Sequence, residues 1–155
     1  MSVDPHFSCL TRSTTDRVLD KIIKLLGQGT FGKVVEAWDR EKHTKCAIKV
    51  IRSVQKYRDA SRIELRVLST LASNDKHNRN RCIHLRHCFD FRNHICIVTD
   101  LYGQSVFDFL KMNQFTPFPN THIQTFARQL FTSVACKSRL IQSHSFHSLT
   151  LPSLA

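Results

Sequence analysis

The residues that could do chemistry fall in two short stretches and one isolated acid. Gly27-Gln28-Gly29-Thr30-Phe31-Gly32-Lys33-Val34 fits the pattern G-x-G-x-x-G-x-V. Glycines in such a loop let the backbone approach phosphate closely and leave N–H groups free to face its oxygens. A dinucleotide fold would need the motif to open a helix, with an acid about 20 residues further on. Here it opens the run Val34-Val35-Glu36-Ala37-Trp38, and residues 47–51 hold no acid, so that fold is excluded. Lys49 ends the second stretch, Cys46-Ala47-Ile48-Lys49. From a strand beside a glycine loop, a long lysine stem can carry its point charge to a phosphate. The bland alternative is a surface lysine on an edge strand. Glu64 falls on the same helical face as Leu68 and Leu71, where a carboxylate is costly unless paired. Lys49 is one partner; the alternative is a solvent-facing Glu64 tied to Arg62 or Arg66.

These groups need a frame to hold them. Ile22-Ile23-Lys24-Leu25-Leu26 and the run 34–38 flank the glycines, and both are short and β-branched or aromatic-rich. The unit therefore reads as strand, glycine loop, strand. Further strands are expected at 46–51, 83–85 and 94–99, with 90–93 leading into the last. A helix is expected at 58–71, where Ile63, Val67 and Leu71 repeat every four residues without Pro or Gly. The polar stretch 73–81 closes it. Past Gly103 the pattern turns helical, first around Val106, Phe107, Phe109 and Leu110. The clearest helix is 121–135, in which Ile123, Phe126, Ala127, Leu130, Phe131 and Val134 form one apolar stripe. Pro119 and Asn120 or Thr121 supply its start. No internal repeat is visible. The fold class expected is α+β, a five-stranded antiparallel sheet with one long helix, followed by the first helices of a second, helical lobe.

Cys46-Ala47-Ile48-Lys49 resembles the V-A-I-K strand of protein kinases, with Cys in place of Val. With the glycine loop upstream and Glu64 downstream, the chain resembles the N-terminal part of a eukaryotic protein kinase. Within those it is similar to the LAMMER (CDC-like) dual-specificity kinases. The segments that carry the resemblance are 26–37 (LGQGTFGKVVEA), 57–68 (YRDASRIELRVL), 89–99 (FDFRNHICIVT) and 101–119 (LYGQSVFDFLKMNQFTPFP). The glycine loop is general to kinases; the segments that begin at Tyr57 and contain Gly103 point to the LAMMER group. The resemblance spans about residues 16–135. It divides the chain into a flexible segment 1–15, an N-lobe with hinge 16–103, the start of a C-lobe 104–135 and a non-homologous tail 136–155.

The resemblance implies ATP as the ligand. Leu26, Val34 and Ala47 would roof the adenine, and Gly27, Gly29 and Gly32 would cradle the phosphates. Lys49, paired with Glu64, would hold the α- and β-phosphates. Thr99 falls at the gatekeeper position, where animal members carry a bulky aromatic. Asp100 and Tyr102 would offer backbone hydrogen bonds to the adenine edge. The family reaction is ATP-dependent phosphorylation of Ser, Thr and Tyr in proteins, here Arg/Ser-rich splicing factors, with Mg²⁺. Yet the 155 residues contain no H-R-D or H-T-D with its downstream Asn, and no D-F-G. No catalytic residue and no metal ligand is therefore assigned, and the chain as written is expected to bind nucleotide without transferring phosphate. The competing readings are a non-catalytic decoy that binds kinase partners or regulators, and a basic RNA-associated protein.

Composition narrows the classes. Lys+Arg 23 against Asp+Glu 12 gives a net charge of +11, which favours polyanions. The basic residues are spread, and the densest patch, 76–81, also carries His and Asn, so it reads as solvated surface rather than a nucleic-acid site. No run reaches the roughly 18 apolar residues of a membrane helix, and 1–15 lacks the pattern of a secretory signal. An intracellular location, nucleus or cytoplasm, is expected. The six cysteines then read as reduced thiols, and Cys82, His84, His87 and Cys88 match no zinc-finger spacing. Residues 136–155 carry no acid and no sustained period. They are read as translated intron, because Cys136-Lys137-Ser138 can be encoded TGT-AAG-TCN, which contains GTAAGT. A frameshift or a genuine alternative C-terminus are the other readings.

Overall fold

A computed structural model describes residues 19–147, with side chains over 21–138; the expected segment 1–15 lies outside the described residues. The described chain divides into two compact units, one of residues 19–72 with 83–103 and one of 73–82 with 104–147.

The first unit is a five-stranded antiparallel sheet, β1 (Leu19–Gln28), β2 (Gly32–Asp39), β3 (Thr44–Ile51), β4 (Leu85–Phe91) and β5 (His94–Asp100). Their spatial order is β1-β2-β3-β5-β4. Between β3 and β4 runs helix α1 (Gln55–Asn74). Strand alternation sorts the sheet into two faces. On one, Val35, Ala37, Cys46, Ile48, Phe89, Cys96 and Val98 form a single cluster. On the other, Ile51, Ile95, Ile97 and Cys88 pack with Leu65 of α1, joined by Tyr57 and Leu68. Ile51, Ile95, Ile97 and Val98 are each at most 1% exposed, and a side chain so buried stabilises by about 1.5–3 kcal/mol.

Two expectations are corrected here. The fourth strand is Leu85–Phe91, not 83–85. Its sequence, LRHCFDF, has no apolar run, and it is a strand because every residue but Arg86 pairs with β5; Ile83 stays outside and half exposed. The helix at 58–71 is longer, Gln55–Asn74, and its buried positions are Ser61, Leu65 and Leu71, while Ile63 is 65% exposed. The face of a helix is chosen by the sheet it meets, and Leu65 with Leu68 meets Ile51, Ile95 and Ile97.

The second unit holds α2 (Val106–Met112) and α3 (Asn120–His147). Ser105 caps α2 by accepting from the Asp108 N–H. Phe118 stacks on Phe109 and meets Phe126 edge-on, with centroids 5.6 and 5.2 Å apart. The loop 75–82 is organised by the buried Asp75, whose carboxylate accepts from the N–H groups of Arg79 and Asn80 and from Asn80 Nδ2. The Ser133 hydroxyl of α3 lies 2.6 Å from the Asn80 carbonyl. Helix α3 runs on past Ala135 without a break, since nothing at Cys136-Lys137-Ser138 stops a helix.

Cys46, Cys82, Cys96 and Cys136 are free thiols. Burial pushes the Cys96 thiol up to about 12, with the charge of Asp90 adding to it.

Candidate nucleotide site

Lys49 and Ala47 are odd-numbered positions of β3 and share the α1 face of the sheet. Register carries that face to the neighbours: Val34 of β2 stands opposite Lys49, and Thr99 of β5 opposite Ala47. Val34, Ala47, Lys49 and Thr99 thus form one continuous strip across three strands. Leu26 and Gly27 join its edge, because Gly27 pairs with Val34. Val34, Ala47, Lys49 and Thr99 are half-buried, whereas Leu26 is 43% exposed.

The ammonium of Lys49 donates to both oxygens of Glu64, each at 2.8 Å. This is the pairing expected from sequence; Arg62 instead reaches Asp59. Both side chains keep about a third of their surface in water, so solvent screens the pair and its worth is positional more than energetic. It fixes where a cation stands on the strip.

The glycine loop is anchored at its far end. A Cβ on Gly32 would lie 2.0 Å from the Val50 carbonyl oxygen, so no side chain fits there. Gly27 and Gly29 meet nothing within 4 Å, and no glycine of the chain has positive φ. Nothing in the described protein therefore demands glycine at those two positions. The Arg52 N–H donates to the Phe31 carbonyl at 3.0 Å and its guanidinium to the Gly29 carbonyl at 3.3 Å. At the loop's tip the Phe31 ring meets Tyr57 of α1 edge-on, 5.4 Å between centroids. The sequence did not single out Arg52, and marked Tyr57 only as the start of a family segment, because more than 20 residues separate each from its contact in the loop.

Residues 21–138 match the protein kinase domain family. The chain belongs to the protein kinase family. Over 114 residues this kinase chain is 60% identical to dual specificity protein kinase lkh1 of Schizosaccharomyces pombe, covering 74% of the chain and 16% of that protein. Against dual specificity protein kinase KNS1 of Saccharomyces cerevisiae it is 52% identical, covering 71% and 15%. Against serine/threonine-protein kinase AFC3 of Arabidopsis thaliana it is 48% identical, covering 81% and 31%. These relatives are of the LAMMER type, in agreement with the segments that suggested it, and the chain spans less than a third of the length of each.

In this kinase chain the expected hinge follows β5. Thr99 and Asp100 are its last residues, Leu101 and Tyr102 leave the sheet, and Tyr102 is 53% exposed. The Thr99 hydroxyl donates to the Asp100 carbonyl at 3.3 Å. All eleven residues assigned from sequence, Leu26, Gly27, Gly29, Gly32, Val34, Ala47, Lys49, Glu64, Thr99, Asp100 and Tyr102, lie in the first unit. Cys82 and Cys88 fall in different units, and among the described residues no group of three or more His, Cys, Asp or Glu is placed to hold a metal. Among the described residues no helix is long and apolar enough to cross a membrane.

Proposed function

We propose that these residues form the nucleotide-holding part of a LAMMER-type kinase and bind ATP through the glycine loop, Lys49 and the hinge. The observation that carries the reading is the Lys49–Glu64 pair at 2.8 Å on both carboxylate oxygens, which sets a cation on the strip that the glycine loop joins through Gly27 and Val34. In the reaction, Lys49 holds the α- and β-phosphates while Glu64 keeps the lysine from swinging to solvent. Leu26, Val34 and Ala47 supply apolar surface to the adenine, and the backbone of Asp100 and Tyr102 reads its edge. Thr99, smaller than an aromatic, leaves room behind the adenine. Mg²⁺ would neutralise phosphate charge in the complete reaction, but the D-F-G and catalytic-loop residues that would hold it, and the catalytic Asp, are not among these 155 residues. On their own, these residues bind ATP weakly and transfer nothing. The substrates of the complete reaction are Ser, Thr and Tyr of Arg/Ser-rich nuclear proteins.

A thermal-shift titration with ATP tests the reading. The parent chain is expected to be stabilised and Lys49→Ala much less so, by about 1–2 kcal/mol of lost binding. No response in either protein would favour a decoy that binds kinase partners, and salt-steep binding to arbitrary RNA would favour the RNA-associated reading. Lys49-dependent transfer to an Arg/Ser peptide would overturn the inactivity.

A further inference from the structure

Strand β4 has a single break in its pairing with β5. Leu85 stands opposite Thr99 and His87 opposite Val98, so Arg86 is an extra residue with no partner. Such a bulge re-aims the side chain it carries. The Arg86 side chain is 14% exposed and reaches three strand ends at once. Its Nε donates to Asp100 at the end of β5, at 2.5 Å. One terminal nitrogen donates to Asp39 at the end of β2, at 3.2 Å, and to Thr44 at the start of β3, at 3.1 Å. Burial opposes the guanidinium's charge, yet the hydrogen bond and charge of Asp100, with those of Asp39, outweigh it and raise its pKa. Asp39 is almost fully buried and also accepts the Lys42 N–H, so this carboxylate commits the guanidinium to its place. Asp100, 45% exposed, is then held by a cation that the buried Asp39 anchors from its other side.

We propose that Arg86 is a positioning residue for the adenine edge, setting through Asp100 the direction in which the backbone of Leu101 and Tyr102 leaves the sheet. Backbone pairing already joins these strand ends, through Cys46 with Asp100 and Asp39 with Thr44. What the guanidinium adds is the orientation of the last β5 residue, beyond which no ladder continues. The inference rests on the nucleotide reading above, and its test separates the two.

Replacing Arg86 by an apolar residue would strand the buried Asp39 and endanger the fold, so Asp100 is the better lever. Amide hydrogen exchange at Leu101 and Tyr102 is measured in the ligand-free chain, together with calorimetric binding of adenosine and of inorganic tripolyphosphate. Asp100→Ala is expected to speed exchange at both amides and to weaken adenosine about 5–10-fold, the worth of one ordinary net hydrogen bond at the adenine edge, with tripolyphosphate within about twofold. Asp100→Glu restores both. Arg86→Lys follows Asp100→Ala, because one ammonium cannot span two carboxylates as the planar fork does. Exchange and adenosine affinity equal to the parent in both Asp100→Ala and Arg86→Lys would overturn the proposal. If the parent takes up no adenosine, the nucleotide reading fails, and the exchange rates alone then support or overturn the hold of Arg86 on this segment.

Discussion

Gly32 and Gly29 carry the same letter for different reasons. Gly32 is required by its own protein: an added methyl would sit 2.0 Å from a backbone oxygen of β3. Gly32→Ala is expected to cost about 3 kcal/mol or more in chemical denaturation, since backbone rather than a flexible side chain must yield. Gly29 has open space and no positive φ, so Gly29→Ala is expected to be neutral or stabilising by about 0.5 kcal/mol while weakening ATP. That split between stability and binding separates a packing glycine from a ligand glycine. Glu36 gives a second residue-scale prediction. It is buried between Lys45 at 2.8 Å and Lys24 at 3.4 Å, and the hydrogen bond from Lys45, followed by that lysine's charge and the contribution of Lys24, outweighs desolvation and lowers its pKa. A carboxyl lowered on folding contributes stability above its ordinary value that is lost as pH falls through the lowered one. Melting temperatures of the parent are therefore expected to fall as the pH drops below about 4.5, and Glu36→Gln to shrink that fall while lowering stability at pH 7.

At the scale of elements, the hairpin between β4 and β5 is the tightest joint. Phe91 pairs with His94 across the two residues Arg92 and Asn93, whose φ values are 48° and 68°. A two-residue turn with both centres left-handed matches the twist of its strands; Asn93 suits it and Arg92 does not. Arg92→Asn is expected to stabilise by about 0.5–1 kcal/mol and to raise the melting temperature by about 2 °C. The same hairpin receives α1: Arg58 donates to Asp90 at 2.9 Å and to the Asn93 carbonyl. Losing that tie, in Arg58→Ala, is expected to free the first turns of α1 to exchange faster without unfolding the sheet, which amide exchange would read. The strands about the glycines and β5 were legible because their apolar runs are continuous. β4 was not, because its register with β5, not its composition, makes it a strand.

Across the whole molecule both buried apolar clusters belong to the first unit, whereas the second leaves its apolar stripe in water. Ile123, Phe126, Leu130, Phe131 and Val134 of α3 are each at least 40% exposed. Exposed apolar surface of that extent marks either a covered face or an aggregation liability. The chain is expected to self-associate at micromolar concentration despite its +11 charge, and Leu130→Lys with Phe131→Lys to reduce that association in sedimentation velocity. A monodisperse parent would count against it.

The sequence by itself determined the family, the glycine loop, and Lys49 with its glutamate partner. Each is a local pattern or a fixed spacing whose chemistry has one good solution. Residues that act through distant neighbours were decided only by the tertiary structure. Ile63 and Leu65 are equally apolar, and the sheet alone chose Leu65. Phe31 and Tyr57 meet because a loop tip and a helix start converge. Arg86, one basic residue among 23, gained its place from a bulge that only strand pairing creates, beside a buried aspartate 47 residues away in the chain. Spacing predicts contacts along one element; contacts between elements depend on register and packing, which no local pattern encodes.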